Sequence, residues 1–109
     1  FFALEGLTQL MKTIERIKIN LNPELKIRGI LLTMYDKRNK LSSQVEKEAR
    51  DYFNEKVYIT VIPRNVRLSE APSHGMPVLI YDKSCLGSKS YFKFTDEFIN
   101  QDKKIGSAA

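Results

Sequence analysis

The sequence has 109 residues, 42% of them hydrophobic, which bounds it to a single domain with a modest core. Eighteen Lys and Arg against thirteen Asp and Glu give a net charge of +5 and a pI near 9.4, a balance that favours polyanionic partners such as nucleic acid without identifying one. No apolar run approaches the roughly 20 residues that cross a bilayer, the opening stretch lacks a signal-peptide pattern, and a single Cys with a single His excludes an internal disulfide and a His/Cys metal cluster.

Residues 3–20 place Leu4, Leu7, Leu10, Met11, Ile14 and Ile17 at steps of three and four, one stripe of a helix, with Lys12, Glu15, Arg16 and Lys18 mostly off it. Asn22-Pro23 closes that segment, because the residue before a proline is pushed out of the helical region. A chain that opens on Phe1 directly in a helix, with no leading strand, is expected to be a piece of something longer. Residues 26–33, KIRGILLT, gather Ile27, Ile30, Leu31 and Leu32 in a span too short for a typical helix, which predicts a central strand. The loop that follows, MYDKRNK at 34–40, carries Asp36, Lys37, Arg38 and Lys40, the densest charge cluster of the first half. Ser42 or Ser43 is expected to cap the next helix, since Ser43 and Glu46 have capping-box spacing, and Val45, Ala49, Tyr52 and Phe53 give that helix a narrow apolar face.

In residues 57–62, Val57, Ile59 and Val61 alternate with Tyr58, Thr60 and Ile62, so both faces carry large or β-branched groups. That predicts a strand covered on two sides and ended by Pro63, which has no N–H to give to a ladder. Strand, helix and strand with short connections make a right-handed parallel βαβ unit, which would set loops 34–40 and 64–75 side by side at the carboxyl edge, where open α/β sheets present ligand-binding groups. Arg64, Asn65 and Arg67 fall in the second loop; an ordinary loop with solvated arginines is the alternative. Residues 76–81, MPVLIY, read as a short strand or extended stretch, with Pro77 arguing against a central strand. A last helix is expected from 84 or 87 to 101, with Tyr91, Thr95, Phe98 and Ile99 along one side and Phe92 and Phe94 adding bulk to the core. Residues 102–109 read as a disordered tail or one added in cloning.

The catalytic inventory is thin. None of the five glycines belongs to a GxxxxGK[ST] or GxGxxG loop, so this chain has no cradle of its own for a triphosphate. Ser69 and Ser73 lie near His74, but adjacency in sequence is not triad geometry, and no catalytic residue and no metal ligand is assigned. His74, beside Gly75, reads as a turn histidine, and Cys85, near Lys83 and Lys89, as an inert thiol.

ALEGLTQLMKTIERI, then IRGILLTMYDKRNKLSSQV, then VYITVIPRNVRLSEAPSHGMPVLIYD, and an aromatic last helix opening on Gly-Ser together resemble the C-terminal part of the ParA/Soj chromosome- and plasmid-partition ATPases, over about residues 1–101. The most specific element is IPRNVRLSEAPSHGMPV in register behind LLTMYD and an ALEGL helix. The resemblance implies an α/β fold, part of a P-loop NTPase of the deviant Walker class related to MinD, with parallel strands and flanking helices: the C-terminal half of a doubly wound sheet. It implies for the parent protein ATP with Mg, an ATP-dependent homodimer, non-specific DNA binding, a ParB-type partner and a cytoplasmic, nucleoid-associated location. The chain departs from the pattern in lacking the KGGxGKT loop and the catalytic and magnesium-binding aspartates of the amino-terminal half. Hydrolysis is therefore implied for the parent, and this piece is expected to be inactive and to bind no cofactor tightly alone.

Residue by residue, the resemblance makes Met34 and Pro63 apolar walls of an adenine pocket and Asn65 its hydrogen-bonding reader, against the alternative that Asn65 only caps a turn. It assigns Arg38 and Arg67 to DNA, with Lys37, Lys40 and further out Lys83 and Lys89 extending the patch, and leaves Arg64 between nucleotide and dimer partner. Two rival readings stand beside it. One is a basic α/β nucleic-acid-binding module with no phosphate loop and no nucleotide function. The other is a MinD-like membrane-cycling relative, which needs an amphipathic C-terminal anchor richer in apolar residues than QDKKIGSAA.

Overall fold

The computed structural model describes residues 2–108, and the side-chain surroundings of residues 5–104. Among these, helices form in the order α1 (Phe2–Asn20), α2 (Lys40–Phe53), α3 (Val66–Glu70), α4 (Val78–Tyr81) and α5 (Leu86–Ala108), with 3₁₀ turns at Asn54–Lys56 and Ala71–His74. No helix among the described residues is long and apolar enough to cross a membrane. The chain forms two compact units. One holds the chain up to Ile30 together with Lys37–Val57, and the other holds Leu31–Asp36 and the chain from Tyr58 onward.

In the first unit α1 packs against α2, and Leu7, Thr8 and Met11 face Glu48, Tyr52 and Phe53 across a cleft of about 360 Å³. The predicted stripe of α1 is only partly covered: Leu7, Met11 and Ile14 are half-buried, while Leu10 and Ile17 are exposed, and the side chain of Leu4 lies outside the described residues. Helix α2 begins earlier than the expected serine caps. Asn39 is its N-cap, with extended backbone and a side-chain oxygen accepting from the Leu41 N–H at 2.9 Å. Glu46, freed from a capping box, instead receives two N–H bonds from Arg50 one turn on, at 3.0 and 2.9 Å. Ala49 is buried on the inner face as expected, but Tyr52, at the rim of the cleft, is largely exposed.

In the second unit α3, α4 and α5 pack on one another. The expected polar loop at 64–75 is largely helical, because Asn65 caps α3 and Gly75, at φ 63°, closes the 3₁₀ turn with its N–H on the Ala71 and Pro72 carbonyls. Residues 76–81 are likewise not a strand. Pro77, with extended backbone, is the N-cap of the single turn α4, and its carbonyl accepts from Ile80 and Tyr81. Helix α5 extends past the expected end at Gln101 to Ala108. At its start a Cβ on Gly87 would meet Leu68 Cγ at 2.6 Å, so the close approach of α3 and α5 requires the missing side chain. Ser88, fully buried, sends its hydroxyl to the Val78 and Asp82 carbonyls at 3.1 and 2.6 Å, tying α4 to α5, and the Cys85 sulfur accepts from the Ser88 N–H. Phe94 meets Tyr58 edge-on at 4.9 Å with Phe98 beside both, but the core role expected of the α5 aromatics is met only in part, since Phe92, Phe98 and Ile99 are exposed.

The predicted parallel strands are the main correction. Among the described residues the segments 26–33 and 57–62 form no strand: the parallel pairing is confined to two isolated bridges, Ile30 with Val57 and, just beyond the segments, Tyr35 with Pro63, with the Ile62 N–H on the Leu32 carbonyl between them. Glu97 of α5 supplies the physical reason. Its carboxylate accepts from the consecutive N–H groups of Ile59 and Thr60, at 2.7 and 2.9 Å. In a regular strand, neighbouring N–H groups point to opposite sides, so two that reach one carboxylate require a bend at Ile59. The bend turns Ile59 outward, 80% exposed, while Val57, Tyr58, Thr60 and Ile62 are buried, in place of the expected cover on both faces. Pro63 does not end the pairing either. The bonds of its bridge run from the Tyr35 N–H to the Ile62 carbonyl and from the Arg64 N–H to the Tyr35 carbonyl, so the proline needs no N–H of its own.

Candidate nucleotide and nucleic-acid site

The Tyr35–Pro63 bridge brings together the backbone that carries the three residues expected to meet a base. Met34 precedes it with a positive φ of 54° and a side chain 69% exposed. A non-glycine residue in that conformation is uncommon. Pro63 is half-buried, and Asn65 lies two residues on, also half-buried. The Asn65 side-chain oxygen accepts from the Arg67 N–H at 3.1 Å, so the cap reading of this residue is realised in the structure, with the amide NH₂ the group left to address a ligand.

Arg67 sits in a network that sequence reasoning missed. Its Nη1 lies 3.2 Å from Glu70 Oε2 and its Nε 3.3 Å from Asp82 Oδ2. The Tyr81 hydroxyl donates to the same Glu70 oxygen at 2.7 Å, and the His74 ring stacks on Tyr81 with centroids 4.8 Å apart. The Glu70 carboxyl is held below its ordinary value, first by the Tyr81 hydroxyl and then by the Arg67 charge, against the dehydration that opposes both. Donation to Glu70 raises the Tyr81 hydroxyl, and the Tyr81 and Glu70 bonds raise Arg67. The signal for the first pair was present in the sequence, Arg67 and Glu70 standing three apart on what proves to be a helix, whereas the Asp82 contact depends on α4 turning the chain back.

Lys37 and Arg38 occupy the exposed turn before α2, and Lys40 is its first residue; all three belong to the first unit, and Met34, Pro63, Asn65 and Arg67 to the second. Arg64 is exposed, and its backbone N–H serves the bridge. Lys83 and Lys89 are exposed on either side of the α5 start.

Residues 5–78 match the family model described as the CobQ/CobB/MinD/ParA nucleotide binding domain. The chain belongs to that family, within its ParA/Soj group. It is 61% identical over 103 residues to the chromosome partitioning protein ParA of Caulobacter vibrioides, 94% of this chain and 39% of that protein. It is 52% identical over 102 residues to the chromosome-partitioning ATPase Soj of Treponema pallidum, 94% of this chain and 40% of that protein. It is also 52% identical over 97 residues to the sporulation initiation inhibitor protein Soj of Bacillus subtilis, 89% of this chain and 38% of that protein. This ParA/Soj-group chain thus spans about two fifths of the length of the curated relatives it matches. The family is one of α/β NTPases, to which the two parallel bridges and flanking helices conform only in outline.

Proposed function

We propose that this chain, over residues 1–101, is the C-terminal part of the ATPase domain of a chromosome- or plasmid-partition protein. That protein binds DNA without sequence preference as an ATP-dependent dimer in the cytoplasm, on the nucleoid, and is released from it by a ParB-type partner. In this reading Met34 and Pro63 flank the adenine and the Asn65 amide donates to its acceptor edge, while Arg38 and Arg67, with Lys37 and Lys40, meet DNA phosphates. ATP with Mg supplies the phosphoryl chemistry, and no step of it is assigned to residues of this chain, whose sequence has no phosphate loop. Phosphate contacts give sequence-independent affinity that salt weakens, which suits a protein that holds any stretch of a chromosome and then lets go.

The observation that carries the reading is the 61% identity over 103 residues to a chromosome partitioning ParA. Asn65→Asp in the intact protein separates its two roles. Aspartate caps a helix as well as asparagine but has no NH₂ to donate, so the thermal midpoint should hold while ATP affinity falls about tenfold, the worth of one hydrogen bond. ATP affinity equal to wild type, measured by titration calorimetry, contradicts the base-reading role.

A further inference from the structure

We propose that Glu70 and Asp82 are positioning residues that hold Arg67 against the chain, so that a DNA phosphate competes with two carboxylates for it. This rests on the reading of Arg67 as a DNA contact. A guanidinium offers its donors in a planar fork, and carboxylate and phosphate compete for the same donors. Here two fork positions are already engaged, Nη1 by Glu70 and Nε by Asp82, and one guanidinium between two carboxylates leaves a net negative charge where a phosphate would arrive. Neither acid is loosely placed. Glu70 is pinned by the Tyr81 hydroxyl, against which His74 stacks, and Asp82 closes α4 with its backbone N–H on the Val78 carbonyl. Arg67 nonetheless remains 52% exposed on its side chain. Exposed pairs of this kind are weak, so the arrangement tempers the interaction with DNA and does not block it, which keeps that interaction easily reversed.

The test is a double-mutant cycle in the intact protein with saturating ATP, reading affinity for a short mixed-sequence duplex across a salt series. Asp82→Asn removes the charge but keeps the oxygen that accepts from the Ser84 hydroxyl, so the local fold is retained. Asp82→Asn should bind DNA about two- to fivefold more tightly, matching the worth of an exposed ion pair, and the gain should vanish in Arg67→Ala/Asp82→Asn compared with Arg67→Ala. An equal gain in both backgrounds means that Asp82 repels DNA directly, and unchanged or weaker binding by Asp82→Asn means that the carboxylate does not restrain Arg67; either overturns the proposal. Should Arg67→Ala alone bind as wild type at every salt concentration, the DNA reading of Arg67 fails first and the proposal with it, which distinguishes the two failures.

Discussion

Alanine at both Arg38 and Arg67 of the intact, ATP-loaded protein is expected to weaken duplex binding by at least about tenfold near physiological salt. It should also flatten the slope of log affinity against log salt by about 1.8, since each phosphate contact contributes roughly 0.9 through released counterions. The loss should be the same on A·T-rich and G·C-rich duplexes, because contacts to phosphate carry no base information. Folding should hardly change. Arg38 stands in an exposed turn, and the pairs Arg67 makes with Glu70 and Asp82 lie at the surface, where water screens them. Filter binding or fluorescence anisotropy over several salt concentrations reads both quantities, and an unaltered slope removes these arginines from the DNA face.

Glu97→Ala is expected to cost about 3 kcal/mol of unfolding free energy, because the carboxylate accepts from two backbone N–H groups in charge-assisted bonds. Thr60 is buried, so its N–H would be left without water as well as without a partner. Glu97→Gln, which keeps one acceptor oxygen, should lose about half as much. Equilibrium denaturation measures both; a loss below about 1 kcal/mol for the alanine variant means that the bend at Ile59 is held by something else.

The residue pattern reveals the three long helices better than the strands or the short helices α3 and α4, for a physical reason. Helices α1, α2 and α5 are recognisable from local periodicity alone, although only part of each predicted face is covered: Leu10, Ile17, Tyr52, Phe92 and Phe98 are exposed. The alternation at 57–62 also predicts an extended segment, yet its bend is imposed by Glu97, a residue distant in sequence that no periodicity connects to it. The caps show a finer version of the same limit. Ser43 and Glu46 have capping-box spacing, but Asn39 lies three residues ahead of Ser42 with a side chain that reaches the first free N–H groups, so the helix starts there. Of the candidate site, the place of Asn65 and Arg67 after an apolar segment ending at Pro63 marks only a polar segment; their proposed roles come from the family resemblance. The acids around Arg67 were not legible, because Asp82 reaches it only once 76–81 folds as a turn of helix in place of the extended stretch its apolar residues suggest.

Coupling between nucleotide and DNA is the centre of the account, since Asn65 and Arg67 stand two residues apart and the Asn65 side chain caps the helix that carries Arg67. The most direct measurement is duplex affinity of the intact protein as a function of ATP concentration, for wild type and Asn65→Asp. Tight duplex binding is expected only with ATP, with a shift to about tenfold higher ATP for Asn65→Asp and recovery of wild-type duplex affinity once that variant is saturated. Duplex binding of equal strength with and without ATP, identical in the two proteins, would contradict it and leave a basic nucleic-acid-binding module with no nucleotide function.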